Sequence, residues 1–120
     1  MVKKVKKDDA YLWDMLDATK TVSSMVGTTP YTDYEKNRQL QLAVERLVGI
    51  IGEAARNISK SFKKSHPEVQ WDLIVAQRHV LAHDYGDIKQ DKIWMLTQKH
   101  IPELIANLEK LIPPVPQEIN

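Results

Sequence analysis

From Arg78 to Tyr85 the chain reads Arg78-His79-Val80-Leu81-Ala82-His83-Asp84-Tyr85, and Gly86 follows. Two of the four histidines, an arginine, a carboxylate and a phenol thus fall within eight consecutive residues. That combination suits phosphodiester chemistry. A histidine titrating near neutral pH can take a proton from a ribose 2′-hydroxyl. The freed oxygen can then attack the adjacent phosphorus and leave a cyclic phosphate end. An arginine can hold the phosphate through two parallel hydrogen bonds and stabilise the charge that develops on it. In this reading Arg78 is the phosphate clamp, His83 is the base or acid, RNA is the substrate, and neither a metal nor another cofactor takes part.

Two other readings of the same residues stay open. His79 and His83 have the four-residue spacing that lets two imidazoles share one metal ion on a helix. Asp84 or Asp87 could add ligands, but Val80 stands where a zinc peptidase would carry its glutamate. The third reading is structural, in which Arg78 and the histidines satisfy helix ends and carboxylates beside an apolar stripe.

Helical geometry constrains the choice. With about 100° of rotation per residue from Trp71 onward, Leu73, Ile74, Val80 and Leu81 share one stripe with Gln77 in its middle. That stripe is the expected buried face. Arg78 and Tyr85 flank it on one side, and His79 and His83 on the other. Arg78 and His83 lie roughly 140° apart around a straight helix. A site using both is easier to build across a symmetric dimer, where two copies of the motif supply two arginines and two histidines to one cleft.

The elements that must position these residues are helices. The first is expected from Lys7 or Asp8 to Val26, with Asp8 and Asp9 at its positive N-terminal end. Its buried face is Leu12, Met15, Leu16, Thr19, Val22 and Val26, and Gly27 stops it. Thr32-Asp33-Tyr34-Glu35 reads as a capping box opening the second helix. The apolar stripe Leu40, Val44, Leu47, Ile51, Ala54, Ile58 and Phe62 carries that helix on to position 62. Gly49, Gly52, Ala54 and Ala55 are small enough for another helix to approach. Glu53, Arg56 and Asn57 are polar residues among them, legible as a solvated face. Lys60, Lys63, Lys64 and His66 form a basic patch, read as a solvated helix end or a phosphate contact. Pro67 to Trp71 turns into the third helix, which carries the motif. The last helix starts near Asp91 and contains Pro102, which predicts a kink near His100. The result is an all-α, up-down bundle of four to five helices.

Bulk properties agree. A chain of 120 residues is expected to form one domain, residues 1–120, with 1–6 and 114–120 as loose tails. A net charge of +1 means that any nucleic-acid contact must be local. The absence of cysteine excludes disulfides and thiolate chemistry and fits a reducing, cytoplasmic setting. No apolar run approaches the roughly 20 residues of a membrane span, and no signal-peptide core follows the N-terminal lysines.

Arg78, His83 and Tyr85 also spell Arg-x4-His-x-Tyr, the signature of the HEPN superfamily. The neighbouring sequence resembles its HepT-like toxins in particular. His66-Pro67-Glu68-Val69-Gln70-Trp71 resembles their entry to the motif helix, and Gly52-Glu53-Ala54-Ala55 their second-helix signature. Asp87 to Trp94 with Ile101-Pro102-Glu103-Leu104 resembles their last helix. The likeness covers roughly residues 8–113. It implies a HEPN-like bundle and a metal-independent endoribonuclease acting as the toxin of a toxin–antitoxin pair. It implies a homodimer with the motif at the subunit cleft, RNA as substrate, no membrane association, and a minimal nucleotidyltransferase as antitoxin. In some pairs that partner transfers AMP to the motif tyrosine, here Tyr85. Arg78 and His83 would be catalytic, with His79, Asp84, Glu53 and Asn57 in support. The competing expectation is a non-catalytic helical module that docks the nucleotidyltransferase.

Overall fold

The computed structural model describes residues 7–83 and 88–112, the side chains of Val80, Ala82 and His83 excepted. The described residues form helices α1 (Lys7–Val26), α2 (Tyr31–Tyr34), α3 (Arg38–Asn57), α4 (Lys60–Ser65), α5 (Trp71–His83), α6 (Gln90–Met95) and α7 (Ile101–Leu111), with no strand among them. A π-helical turn, Leu96–His100, joins α6 to α7. The fold is the all-α bundle that the periodicity predicts. In it α3 packs between α1 and α5, and α7 covers the remaining side of α1.

The face expected of α1 is the one it buries: Leu12, Met15, Leu16, Thr19, Val22 and Val26 are all in the core. Thr19 is tolerated there because its hydroxyl donates to the Leu16 carbonyl at 2.9 Å. Gly27 ends the helix in the left-handed region, at φ +50°, where a side chain would be strained.

The second helix departs from expectation at both ends. No capping box forms at Thr32. Pro30 sets an extended backbone that leads into the single turn of α2, and α3 begins at Arg38. Its cap is Asn37, whose side chain accepts from the Leu40 amide at 3.0 Å. Buried Gln41 then ties the two helices, its amide donating to the carbonyls of Tyr34 and Glu35, both at 3.0 Å. At the other end α3 stops at Asn57, and Phe62 belongs to α4. Ser59 intervenes with an extended backbone and accepts from the Phe62 amide at 3.2 Å. The Asp8 carboxylate holds the break from α1, accepting from the Ser59 amide at 2.8 Å and from its hydroxyl at 2.6 Å.

The irregularity expected around Pro102 takes the form of the π-turn. The Ile101 amide reaches back five residues to the Leu96 carbonyl, and Pro102, which has no amide hydrogen, follows immediately in the first turn of α7. The stripe expected to be buried on α5 is covered only in part. Trp71 is buried, Ile74, Gln77 and Leu81 are half-covered, and Leu73 is exposed, because among the described residues α5 has a large helical contact with α3 alone.

That contact is close. A Cβ built on Gly52 would overlap the Cβ of Arg78 and lie 2.8 Å from its Cγ and 3.1 Å from the Ile74 carbonyl oxygen. Only glycine lets α5 sit at this distance. Gly49, one turn earlier, has nothing within 4 Å of the same position.

Two stability predictions follow from these contacts. Gly52→Ala should lower stability by about 1–3 kcal/mol through overpacking, although alanine is the better helix former by about 1 kcal/mol. Gly49→Ala should show that propensity gain instead, and denaturant midpoints of the two variants should move in opposite directions. The second concerns Tyr34, fully buried, whose hydroxyl donates to Gln90 at 3.0 Å. Burial, with the nearby Glu45 carboxylate, pushes its pKa up to about 12. The folded state therefore keeps a proton that the unfolded chain releases near pH 10. Stability from this group is complete below pH 10 and lost as pH rises towards 12, by at most roughly 1.4 kcal/mol per pH unit. Tyr34→Phe should cost about 1 kcal/mol at neutral pH and flatten this alkaline decline, as read by thermal melts across that range.

Candidate functional site

The Gly52 contact fixes the aliphatic stem of Arg78 on the surface of α3, which leaves its guanidinium only a short reach. Nη2 lies 3.1 Å from Oε2 of Glu53, the residue after Gly52, and the Arg78 side chain is about one-third exposed at 31%. Arg56 approaches the same oxygen at 3.7 Å. Oε2 is shielded from solvent yet receives no aligned hydrogen bond, so charge rather than a directed fork holds Arg78. Asn57 donates to the Glu53 carbonyl at 2.9 Å and to its Oε1 at 3.4 Å, which steadies the carboxylate from the next turn.

Arg78, Glu53 and Asn57 border an open cleft of about 530 Å³ between α1, α3 and α5. Tyr11 and Asp14 line it from α1, Arg46, Gly49, Glu53 and Asn57 from α3, and Arg78 and Leu81 from α5. Chemically, the cleft offers two guanidinium groups to an anion, with carboxylates at hand to release them. A phosphate presenting two oxygens can form with Arg78 the parallel bonds that Glu53 does not.

Of the residues singled out in sequence, Arg78, Glu53 and Asn57 are brought together here. His79 is exposed on α5 and does not line the cleft. The backbone of α5 stays helical through His83. Positions 78 and 83 therefore remain roughly 140° apart around one helix axis. The His83 side chain, Asp84 and Tyr85 lie outside the described residues, as do Gly86 and Asp87. Among the described residues no group of three or more histidine, aspartate and glutamate side chains is arranged to hold a metal ion. No helix among them is long and apolar enough to cross a membrane.

Arg46, Tyr11 and Asp14 are cleft residues that the motif did not point to. A signal for Arg46 exists. Arg46, Gly49, Glu53 and Asn57 recur at spacings of three and four, which marks a second face on α3 beside the core face of Val44, Ile51 and Ala55. Tyr11 and Asp14 have no such signal, because only the packing of α1 on α3 brings them near.

Known proteins place the chain in a family. Residues 15–111 match the family described as Ribonuclease HepT-like. The protein named "Probable ribonuclease HepT" of Thermococcus cleftensis is 33% identical over 110 residues, which is 92% of this chain and 98% of that one. Two proteins of Methanocaldococcus jannaschii named as candidate RNases are also similar. MJ1380 is 30% identical, with 83% of this chain and 92% of its own length covered. MJ0127 is 31% identical, with 89% of each covered. No solved structure matches the chain. With the family match spanning most of its length and the motif arginine seated in its cleft, the chain belongs to the ribonuclease HepT-like family.

Proposed function

We propose that this protein is an endoribonuclease that cuts RNA by attack of a 2′-hydroxyl on the neighbouring phosphodiester, and that it serves as the toxin of a toxin–antitoxin pair in the cytoplasm. The observation that carries the reading is the seat of Arg78. The first residue of the Arg-x4-His-x-Tyr motif borders an open cleft, paired by charge with Glu53, in a chain of the HepT-like family. Relatives named as ribonucleases support the substrate class.

In this mechanism the scissile phosphate displaces Glu53 from Arg78 and takes both of its forward N–H groups. His83 withdraws the 2′-hydroxyl proton, the O2′–P bond forms, and the P–O5′ bond breaks. The departing 5′-oxygen takes a proton from the imidazole of a second copy across a symmetric dimer. The products are a 2′,3′-cyclic phosphate and a 5′-hydroxyl, with no metal ion in the cycle. Dimerisation answers the angular problem on α5, since residues on different sides of one helix can converge when two helices face each other. His79, Asp84 and Asn57 would orient these groups. A minimal nucleotidyltransferase would act as antitoxin. The Tyr85 oxygen attacks the α-phosphorus of ATP, pyrophosphate leaves, and the attached AMP blocks RNA and competes for Arg78.

RNA cleavage in EDTA tests the chemistry. His83→Ala is expected to lower the rate by roughly 10²–10⁴-fold, the usual share of a positioned acid or base. Arg78→Lys should also slow cleavage, because an ammonium cannot make the forked contact. Equal cleavage by wild type and His83→Ala would remove His83 from the mechanism. For the antitoxin, incubation with a nucleotidyltransferase partner and ATP should add one or more AMP masses to wild type and none to Tyr85→Phe. A shift that survives Tyr85→Phe would place the modification elsewhere.

A further inference from the structure

The charge of this chain is not evenly spread. Arg56, Lys60, Lys63 and Lys64 lie between Glu53 and Glu68 with no aspartate or glutamate among them. These are four of seventeen cations and none of sixteen carboxylates, so the rest of the chain is net acidic although the whole is +1. The structure folds this segment into a fixed corner. Ser59 breaks the chain between α3 and α4, and Asp8 holds the break through two hydrogen bonds. At the other end of α4 the Phe62 ring lies 4.4 Å from that of His66 and 6.2 Å, edge-on, from that of Trp71. Trp71 also donates from its indole nitrogen to the His66 carbonyl at 2.9 Å. Since Trp71 is the first residue of α5, the basic corner is fastened directly to the helix that carries Arg78.

The corner is also continuous with the cleft. Arg78 and Arg56 meet on Glu53 at 3.1 and 3.7 Å, and Lys63 Nζ donates to the Arg56 carbonyl at 3.4 Å. Lys60 and Lys64 are exposed on the same short helix. Among the described residues, no carboxylate forms an ion pair with Lys60, Lys63 or Lys64. A corner whose three lysines meet no described carboxylate, and which leads out of the cleft at Arg78, matches a polyanion, and the anchoring keeps its cations in register with Arg78.

We propose that Arg56, Lys60, Lys63 and Lys64 form an extended binding track for the backbone of single-stranded RNA, which holds the phosphates beside the one placed at Arg78. This rests on the ribonuclease reading and adds to it how the strand is gripped beyond the cut. The contacts are to phosphates, so the track contributes affinity without base preference.

The test measures binding of a short, uniformly 2′-O-methylated RNA oligonucleotide, which cannot be cut, by fluorescence anisotropy at several salt concentrations. Each phosphate contact contributes about 0.7 to the slope of log affinity against log salt for a single strand. Replacing Lys60, Lys63 and Lys64 with glutamine should therefore flatten the slope by about 2. Between 50 and 200 mM salt, wild type should lose roughly twentyfold more affinity than the variant. A Lys60→Gln, Lys64→Gln double variant leaves the Lys63 contact to Arg56 in place and should flatten the slope by about 1.4, which guards against a folding defect in the triple. An unchanged slope in both variants of a protein that binds and cuts RNA removes the track and leaves the nuclease reading intact. The same unchanged slope with binding to a nucleotidyltransferase partner lost would make the corner a protein-docking face and overturn the proposal. A wild type that neither binds nor cuts RNA removes the track together with the reading beneath it.

Discussion

The contact between Gly52 and Arg78 governs the rest of this molecule. Because position 52 has no side chain, α5 can press its backbone against α3, with the Arg78 Cβ where a Gly52 Cβ would be. A helix pair at that distance leaves little freedom for the side chain between them. The long, flexible arginine is thereby turned into a short, directed guanidinium, and much of the rotamer entropy of ordering it is met by folding rather than by ligand binding. Glu53, next in sequence, is carried to the guanidinium by the same contact. One glycine thus sets both the position of the cation and the identity of its resting partner.

That resting partner explains how a cation can be kept ready without being locked away. A fully aligned, two-pronged Arg–carboxylate pair would hold Arg78 against any incoming phosphate. Here the nearest oxygen is shared with Arg56, which is itself exposed, and neither arginine makes an aligned bond to it. The carboxylate lowers the self-repulsion of two neighbouring cations, while the weak geometry would let a better acceptor replace it. Partly exposed pairs of this kind contribute little to stability, so opening the Arg78–Glu53 pair costs the fold little.

How much of this was legible in the sequence depends on the range of the interaction behind each feature. The face of α1 was readable in full because a 3.6-residue apolar period needs only local information, and Leu12 to Val26 supply it. The start of α3 is hidden from a local reading because two caps compete within six residues. Thr32 and Glu35 have the spacing of a capping box, but Pro30 directs the chain into an isolated turn, and Gln41 fastens that turn to α3 by bonds that no local pattern announces. Phe62 continued the apolar period and so concealed the break at Ser59, which is held by Asp8 from fifty-one residues away. In the site, Arg78 was evident from its motif and Gly52 from its size. Their contact was not, since the register of α5 on α3 is a tertiary property. Arg46 was overlooked for a different reason: a polar residue on an amphipathic helix looks solvated until another helix is placed beside it.

The partial burial of α5 is the counterpart of that contact. A helix that belonged wholly to its own core would bury Leu73, Ile74 and Leu81. Here Leu73 is exposed and the other two are only half-covered, while Trp71 alone is buried. The incomplete cover on α5 comes from its large helical contact being, among the described residues, with α3 alone. The scaffold instead secures the two ends of the motif region by other means. Trp71 is anchored through His66 and Phe62, and Gln90, which opens α6, accepts from Tyr34 and donates to Glu45 at 2.7 Å. A helix fixed at its start and along one edge, and open along the other, holds Arg78 in register while leaving its side chain about one-third exposed.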